Sequence, residues 1–269
     1  MCIILLSQNG NLPNKDMLRV AHENNPDGFG VMWVKNGRVQ TKHGLFSFDQ
    51  VWESLVDLEG IPWSMHLRYV TRGKRVESQC HPFQITSKNQ SGRDIWMMHN
   101  GTFMFLNERV KAFGNSKSDT EVFANSLSEV LKSKPNPDKV LFSEPVQANM
   151  RKKIESWNKM VFLTDEGRFE IFNQQEGLWL TEDMWASNDY SFKVGHRLPK
   201  YKTPAAHKLD TYLLSQETIR RMRKASPASD EAPADISGFK GYVTRRDRIR
   251  DRQSRVTTYD PRFKWSDQA

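Results

Sequence analysis

Short apolar runs divided by tight-turn signals constrain this chain most. Gly28-Phe29-Gly30-Val31-Met32-Trp33-Val34 meets Arg38-Val39-Gln40 across Lys35-Asn36-Gly37. Asn-Gly supplies the positive φ angles that a two-residue hairpin turn needs, so this segment reads as paired antiparallel strands. Residues 2–6 form a short apolar run suited to a buried strand, and 63–70 and 95–98 are further strand candidates. Residues 160–163 and 168–172 flank Thr164-Asp165-Glu166-Gly167 as a second hairpin, and 177–180 with 184–187 make a third pair. Ser118 opens a helix: Glu121 follows at capping-box spacing, Phe123, Leu127, Val130 and Leu131 recur at helical intervals, and Pro135 and Pro137 end it. Antiparallel strands with segregated helices give an α+β layered domain, not a parallel α/β fold.

The 269 residues suit one large domain with an appendage, and 8 Trp and 15 Phe can fill its core. No apolar run approaches the ~20 residues that span a bilayer, so no membrane association is expected. The first residues lack the basic region of a signal peptide. Two cysteines, Cys2 and Cys80, make no disulfide framework, which points to a reduced, cytoplasmic setting.

Charge divides the chain. Residues 196–269 hold 17 Lys or Arg and 9 Asp or Glu, whereas the first 195 hold 23 of each. The net charge of +8 therefore belongs to the C-terminal quarter. We read residues 2–200 as a neutral domain and 201–269 as a basic extension, partly helical (210–224) or flexible, with a linker at 225–236. The Arg-dense stretch 245–255 is either a solvated tail or a contact for nucleic acid or an acidic partner, with Tyr259, Phe263 and Trp265 nearby for stacking.

The chemistry-bearing residues sit in the neutral part. Cys2 directly follows Met1; once Met1 is removed, one residue carries a thiol and an α-amine whose pKa near ~8 lets it accept the thiol proton. Three later segments accompany it: His66-Leu67-Arg68-Tyr69-Val70-Thr71-Arg72-Gly73, His99-Asn100-Gly101 and Ser118-Asp119-Thr120-Glu121. Arg68 alone reads as a surface or ion-paired arginine, Asp119 as a helix N-terminal acid and His99-Asn100-Gly101 as a turn. Their order is the informative part.

In that order, over roughly residues 2–190, the segments resemble the N-terminal-nucleophile glutaminase domain of the class II glutamine amidotransferases. The resemblance implies a four-layer αββα sandwich with two antiparallel sheets facing each other. It also implies roles: Cys2 as nucleophile, with its own amine as base; Asn100 and the Gly101 N–H as oxyanion hole; Arg68 on the substrate α-carboxylate; Asp119 on its α-ammonium; and Thr71 close to the nucleophile and the substrate. Asp27-Gly28-Phe29-Gly30, Cys80-His81-Pro82-Phe83 and Trp185-Ala186-Ser187 resemble fold markers of the family. Tyr69, Val70 and Arg72 stand where members often carry Trp, Ala and His.

The expected reaction is hydrolysis of L-glutamine to glutamate and ammonia through a Cys2 thioester, with ammonia passing to an unidentified acceptor, for which a separate synthase is the expected partner. No metal spacing and no phosphate loop are evident, so no cofactor is expected. Two other readings stand beside it: cleavage of a γ-glutamyl amide in a larger metabolite, and a catalytically silent module binding through its basic tail.

Overall fold

Residues Ile3, Ile4, Leu5 and Leu6 are apolar at every position, where a strand with one wet face would alternate. The computed structural model, which describes residues 2–114 and 116–193, shows why: this strand is covered on both faces. The elements are β1 (Ile3–Ser7), α1 (Lys15–Asn24), β2 (Phe29–Lys35), β3 (Arg38–Leu45), α2 (Phe48–Val56), β4 (Trp63–Leu67) and β5 (Phe83–Thr86). They continue with α3 (Lys88–Ser91), β6 (Ile95–Asn100), α4 (Asn107–Ala112), α5 (Asp119–Leu131), α6 (Pro137–Leu141) and α7 (Glu144–Ile154). The chain then forms β7 (Lys159–Thr164), β8 (Phe169–Phe172), β9 (Leu178–Trp179) and β10 (Met184–Ala186).

Two antiparallel sheets result, one ordered β3-β2-β4-β1-β10-β9 and the other β5-β6-β7-β8. Side-chain alternation along each strand then sorts residues into three cores. Ile3 and Leu5, with Phe29, Val31, Trp63 and Met65, face outward onto Met17, Leu18 and Ala21 of α1 and Val51 and Leu55 of α2. Met97, Met160 and Phe162 face outward from the second sheet onto Val110 of α4, Phe123 and Leu127 of α5, Leu141 of α6 and Met150 of α7. Between the sheets, Ile4, Leu6 and Met32 meet Met98, Val161 and Leu163, with Trp185 among them. The order of layers is helix, sheet, sheet, helix: the expected αββα sandwich.

The predicted hairpins are present. β2 and β3 pair from Lys35↔Arg38, and Asn36 and Gly37 take φ of 55° and 64°. β7 and β8, and β9 and β10, pair as read from the sequence. Two local expectations need correction. Ser118 caps α5 through Glu121 N, but the return half of the box is absent, because the Glu121 carboxylate turns to Lys117 at 3.3 Å. The reciprocal box sits at Ser47 and Gln50, ahead of α2. Pro137 also starts α6 instead of merely ending the preceding helix, in keeping with proline's tolerance at the first helical position. The expected domain boundary at 200, the helix at 210–224 and the basic stretch 245–255 lie outside the described residues. No helix among the described residues is long and apolar enough to cross a membrane.

Candidate active site

The strand registers bring the sequence-predicted residues to one end of the sandwich. β1 pairs with β4 as Ile3↔Leu67, which sets Cys2 opposite Arg68 one step further out. On the other side of β4, Arg68 N donates to Gly28 O (2.8 Å) and Asp27 N to Arg68 O (2.9 Å). From the second sheet, Asn100 closes β6 and donates through Nδ2 to Ser187 Oγ (2.8 Å), just beyond β10. The same hydroxyl accepts from Ile4 N (2.8 Å), and Asn188 Nδ2 holds Cys2 O (2.9 Å). A short hydrogen-bond relay thus ties the end of one sheet to the strand that bears the thiol.

Cys2 Sγ lies against the Tyr69 backbone, accepting from its N–H at 3.4 Å and facing its carbonyl at 3.5 Å. Burial pushes this thiol above its ordinary value; the Tyr69 N–H and the charge of Arg68 oppose the rise, and Asp119 adds to it. The sulfur therefore lies within the fields of both predicted substrate-binding charges. No His, Asp or Glu side chain among the described residues is hydrogen-bonded to it.

Arg68 is 3% exposed. Its guanidinium donates to Lys74 O (2.6 Å), Arg72 O (3.1 Å) and Gln79 Oε1 (3.1 Å), all neutral oxygens. No carboxylate among the described residues forms an ion pair with it. Gln79, also buried, accepts from Lys74 N (2.6 Å) and donates to Ser116 O, so it knits residues 72–79 together and ties them to the segment before α5. Asp119 opens α5, buried, and its Oδ2 accepts from Phe103 N (2.7 Å). An acid in the first turn is favoured by the helix dipole. Gly101 follows Asn100 with φ of +149°. Thr71, by contrast, is exposed on the loop after β4. The hub at Gln79 carries no signal in the sequence, and Ser187 enters there only within a fold marker, because a buried serine or glutamine announces no role until its distant partners are known.

Three histidines lie behind this end, all buried. His66 and His81 rings stand 3.8 Å apart, and none of their four ring nitrogens has a hydrogen-bond partner. Burial holds both well below the ordinary histidine value, helped by repulsion from Arg68 for His66 and from His66 for His81. The His81 carbonyl packs against Gly30, where an added Cβ would come within 1.9 Å of it. Depressed values mean that the unfolded chain binds protons the folded one refuses, so stability is full above ~6.5 and falls as pH drops below it. Denaturant unfolding should therefore report a lower stability at pH 5.5 than at pH 7.5. Equal stability at both values would show that the rings are not held neutral.

No protein-family model matches the chain, and no curated protein matches it. Among solved structures it is similar to the glutamine phosphoribosylpyrophosphate amidotransferase from B. subtilis complexed with ADP and GMP, at 16% identity and a TM-score of 0.44 over 72% of this chain and 43% of that one. A second is an allosteric regulatory enzyme of purine biosynthesis, at 13% identity and 0.47 over 69% of this chain and 41% of that one. A third is a glutamine aminotransferase class-II domain protein (SPO2029) from Silicibacter pomeroyi, at 15% identity and 0.27 over 60% of this chain and 72% of that one. The chain spans less than half the length of the first two. With all three TM-scores below 0.5, the fold assignment rests on the sheet order and layers described above.

Proposed function

We propose that this chain is a class II glutamine amidotransferase domain that hydrolyses L-glutamine and supplies ammonia to a separate synthase. One observation carries the reading. A thiol, a buried guanidinium lacking a carboxylate partner and a buried carboxylate share one end of the sandwich, beside an Asn-Gly corner. A free amino acid offers the complementary pair of charges, its α-carboxylate for Arg68 and its α-ammonium for Asp119.

The thiol needs a proton acceptor, and no titratable side chain among the described residues is hydrogen-bonded to it. The α-amine of Cys2, freed when Met1 is removed, is the base this reading requires. It takes the S–H proton as sulfur attacks the substrate Cδ. Asn100 Nδ2 and Gly101 N–H receive the developing oxyanion. Collapse breaks the C–N bond, the amine returns its proton to the leaving nitrogen, and ammonia departs. Water then cleaves the γ-glutamyl thioester to glutamate and free thiol. For Asn100 to serve, its amide turns part of its donor capacity from Ser187 to the substrate; the second N–H of that amide allows both.

The test is glutamate and ammonia release from L-glutamine by the full chain. The two products should appear in equal amounts. Asp119→Ala should raise KM by about a hundredfold, since the α-ammonium loses its counter-charge. An unchanged KM would remove Asp119 from substrate binding. A γ-glutamyl amide of a larger amine that outperforms glutamine would instead favour the metabolite-cleaving alternative.

A further inference from the structure

Gly101 is pressed from behind by a side chain the reaction does not touch. Asn158, fully buried on the turn before β7, places Oδ1 so close that a Cβ on Gly101 would lie 2.1 Å from it. The orientation of that amide is determined by its other bonds. Asn158 Nδ2 donates to Ile154 O, which directs Oδ1 toward His99 Nε2 at 2.9 Å. An amide oxygen only accepts, so Nε2 carries the proton. Burial depresses the His99 value, which keeps the ring neutral, and Nδ1 is then an acceptor for the Thr120 hydroxyl at 2.8 Å.

The turn that carries Asn158 is itself pinned. Asn173 Nδ2 donates to Asn158 O and to Glu155 O, each at 2.8 Å. Asn173 and Glu155 both hold positive φ, 58° and 63°, a conformation non-glycine residues adopt only where surrounding contacts fix it. On the far side, His99 stacks on Phe103 with ring centroids 3.8 Å apart and planes 6° from parallel. Phe103 N in turn donates to Asp119. The residues on either side of the Asn100–Gly101 corner are thus locked to each other, and Asn158 locks one of them and fills the space behind Gly101.

The geometry points to Asn158 as a positioning residue for the oxyanion-binding N–H of Gly101, acting by direct contact with that glycine and through the Nε2–H tautomer of His99. The inference rests on the glutaminase reading for its catalytic consequence, though the ordering of Gly101 by Asn158 does not. Asn158→Ala should lower kcat for L-glutamine by about a hundredfold, the loss expected when a donor is displaced by about an ångström, with KM within about threefold. Alkylation of Cys2 by iodoacetamide needs no oxyanion donor and should stay within about twofold of the parent rate. Amide exchange followed by NMR should quicken at Gly101 by about tenfold while β6 amides from Ile95 to Met98 keep their rates. Thr120→Val, which removes only the hydroxyl on His99 Nδ1, should show the same pattern at about fivefold in kcat.

An unchanged kcat in Asn158→Ala overturns the proposal. So does an exchange increase spread evenly along β6 and β7, which marks general loosening. Should Asn158→Ala fail to fold, Thr120→Val decides, and a parent-like kcat there refutes it. If the unmodified chain turns over no glutamine, the functional reading fails instead, and the exchange rate at Gly101 still settles whether Asn158 orders that peptide.

Discussion

Replacing Cys2 with Ala is expected to abolish glutamate release from L-glutamine, a loss of at least about a thousandfold, because no other group can form the thioester. The fold should survive the change. Cys2 lies one residue outside β1, and the change removes a single heavy atom. An unfolding midpoint equal to the parent's would confirm that the loss is chemical. Cys2→Ser keeps the shape and isolates the nucleophile. A hydroxyl has a far higher pKa than a thiol, and an α-amine near ~8 is a poor match for it, so Ser should recover little of the lost rate. The environment sharpens the expectation: burial already holds the thiol above its ordinary value, so the neutral form dominates until a base engages it. Intact mass belongs beside the assay. A chain that hydrolyses glutamine with Met1 still attached would refute the amine as base, and turnover by Cys2→Ala would end the glutaminase reading altogether.

The second large effect concerns the fold. Trp185→Ala should destabilise the chain by about 3–5 kcal/mol, a sizeable fraction of a typical domain's total. Trp185 is fully buried in the cluster between the sheets, and its ring covers Gly177, where a Cβ would come within 2.3 Å of it. Its Nε1 donates to Gln174 O at 3.2 Å, so truncation leaves a cavity and removes one of the two hydrogen bonds to that carbonyl, which Gly177 N still serves at 3.0 Å. The loss should reach the site as well, since Ser187, two residues on, joins Asn100 to Ile4. Urea unfolding gives the stability, and a shift below ~1 kcal/mol would mean the sandwich collapses around the gap.

What could be read from the residues divides along physical lines. The β2–β3 hairpin was legible because its turn is local: Asn36 and Gly37 carry the backbone geometry themselves. The strand character of β1 was equally plain, since burial on both faces leaves four apolar residues in a row. Helix α7 was not legible, because it buries only Met150 and Ile154 and so does not announce an apolar side. α1, by contrast, carries a helical signal in Met17, Leu18, Val20 and Ala21 behind the Asn14 cap, which a reading led by strands and hairpins passes over. In the site, Cys2, Arg68, Asn100, Gly101 and Asp119 were named because each carries chemistry in a recognisable order. Gln79 and Asn158 were not, and Ser187 was read only as part of a fold marker, because their roles arise from contacts between segments far apart in the chain.

The place of β1 in its sheet has a consequence for assemblies. It is hydrogen-bonded on both flanks, to β4 and to β10, and is not an edge. Trading it between two copies would require both ladders to be dismantled at once, whereas a border strand could be exchanged with the loss of one. A swap of β1 is therefore disfavoured, and mixing a Cys2→Ala copy with the parent chain is not expected to generate a hybrid site.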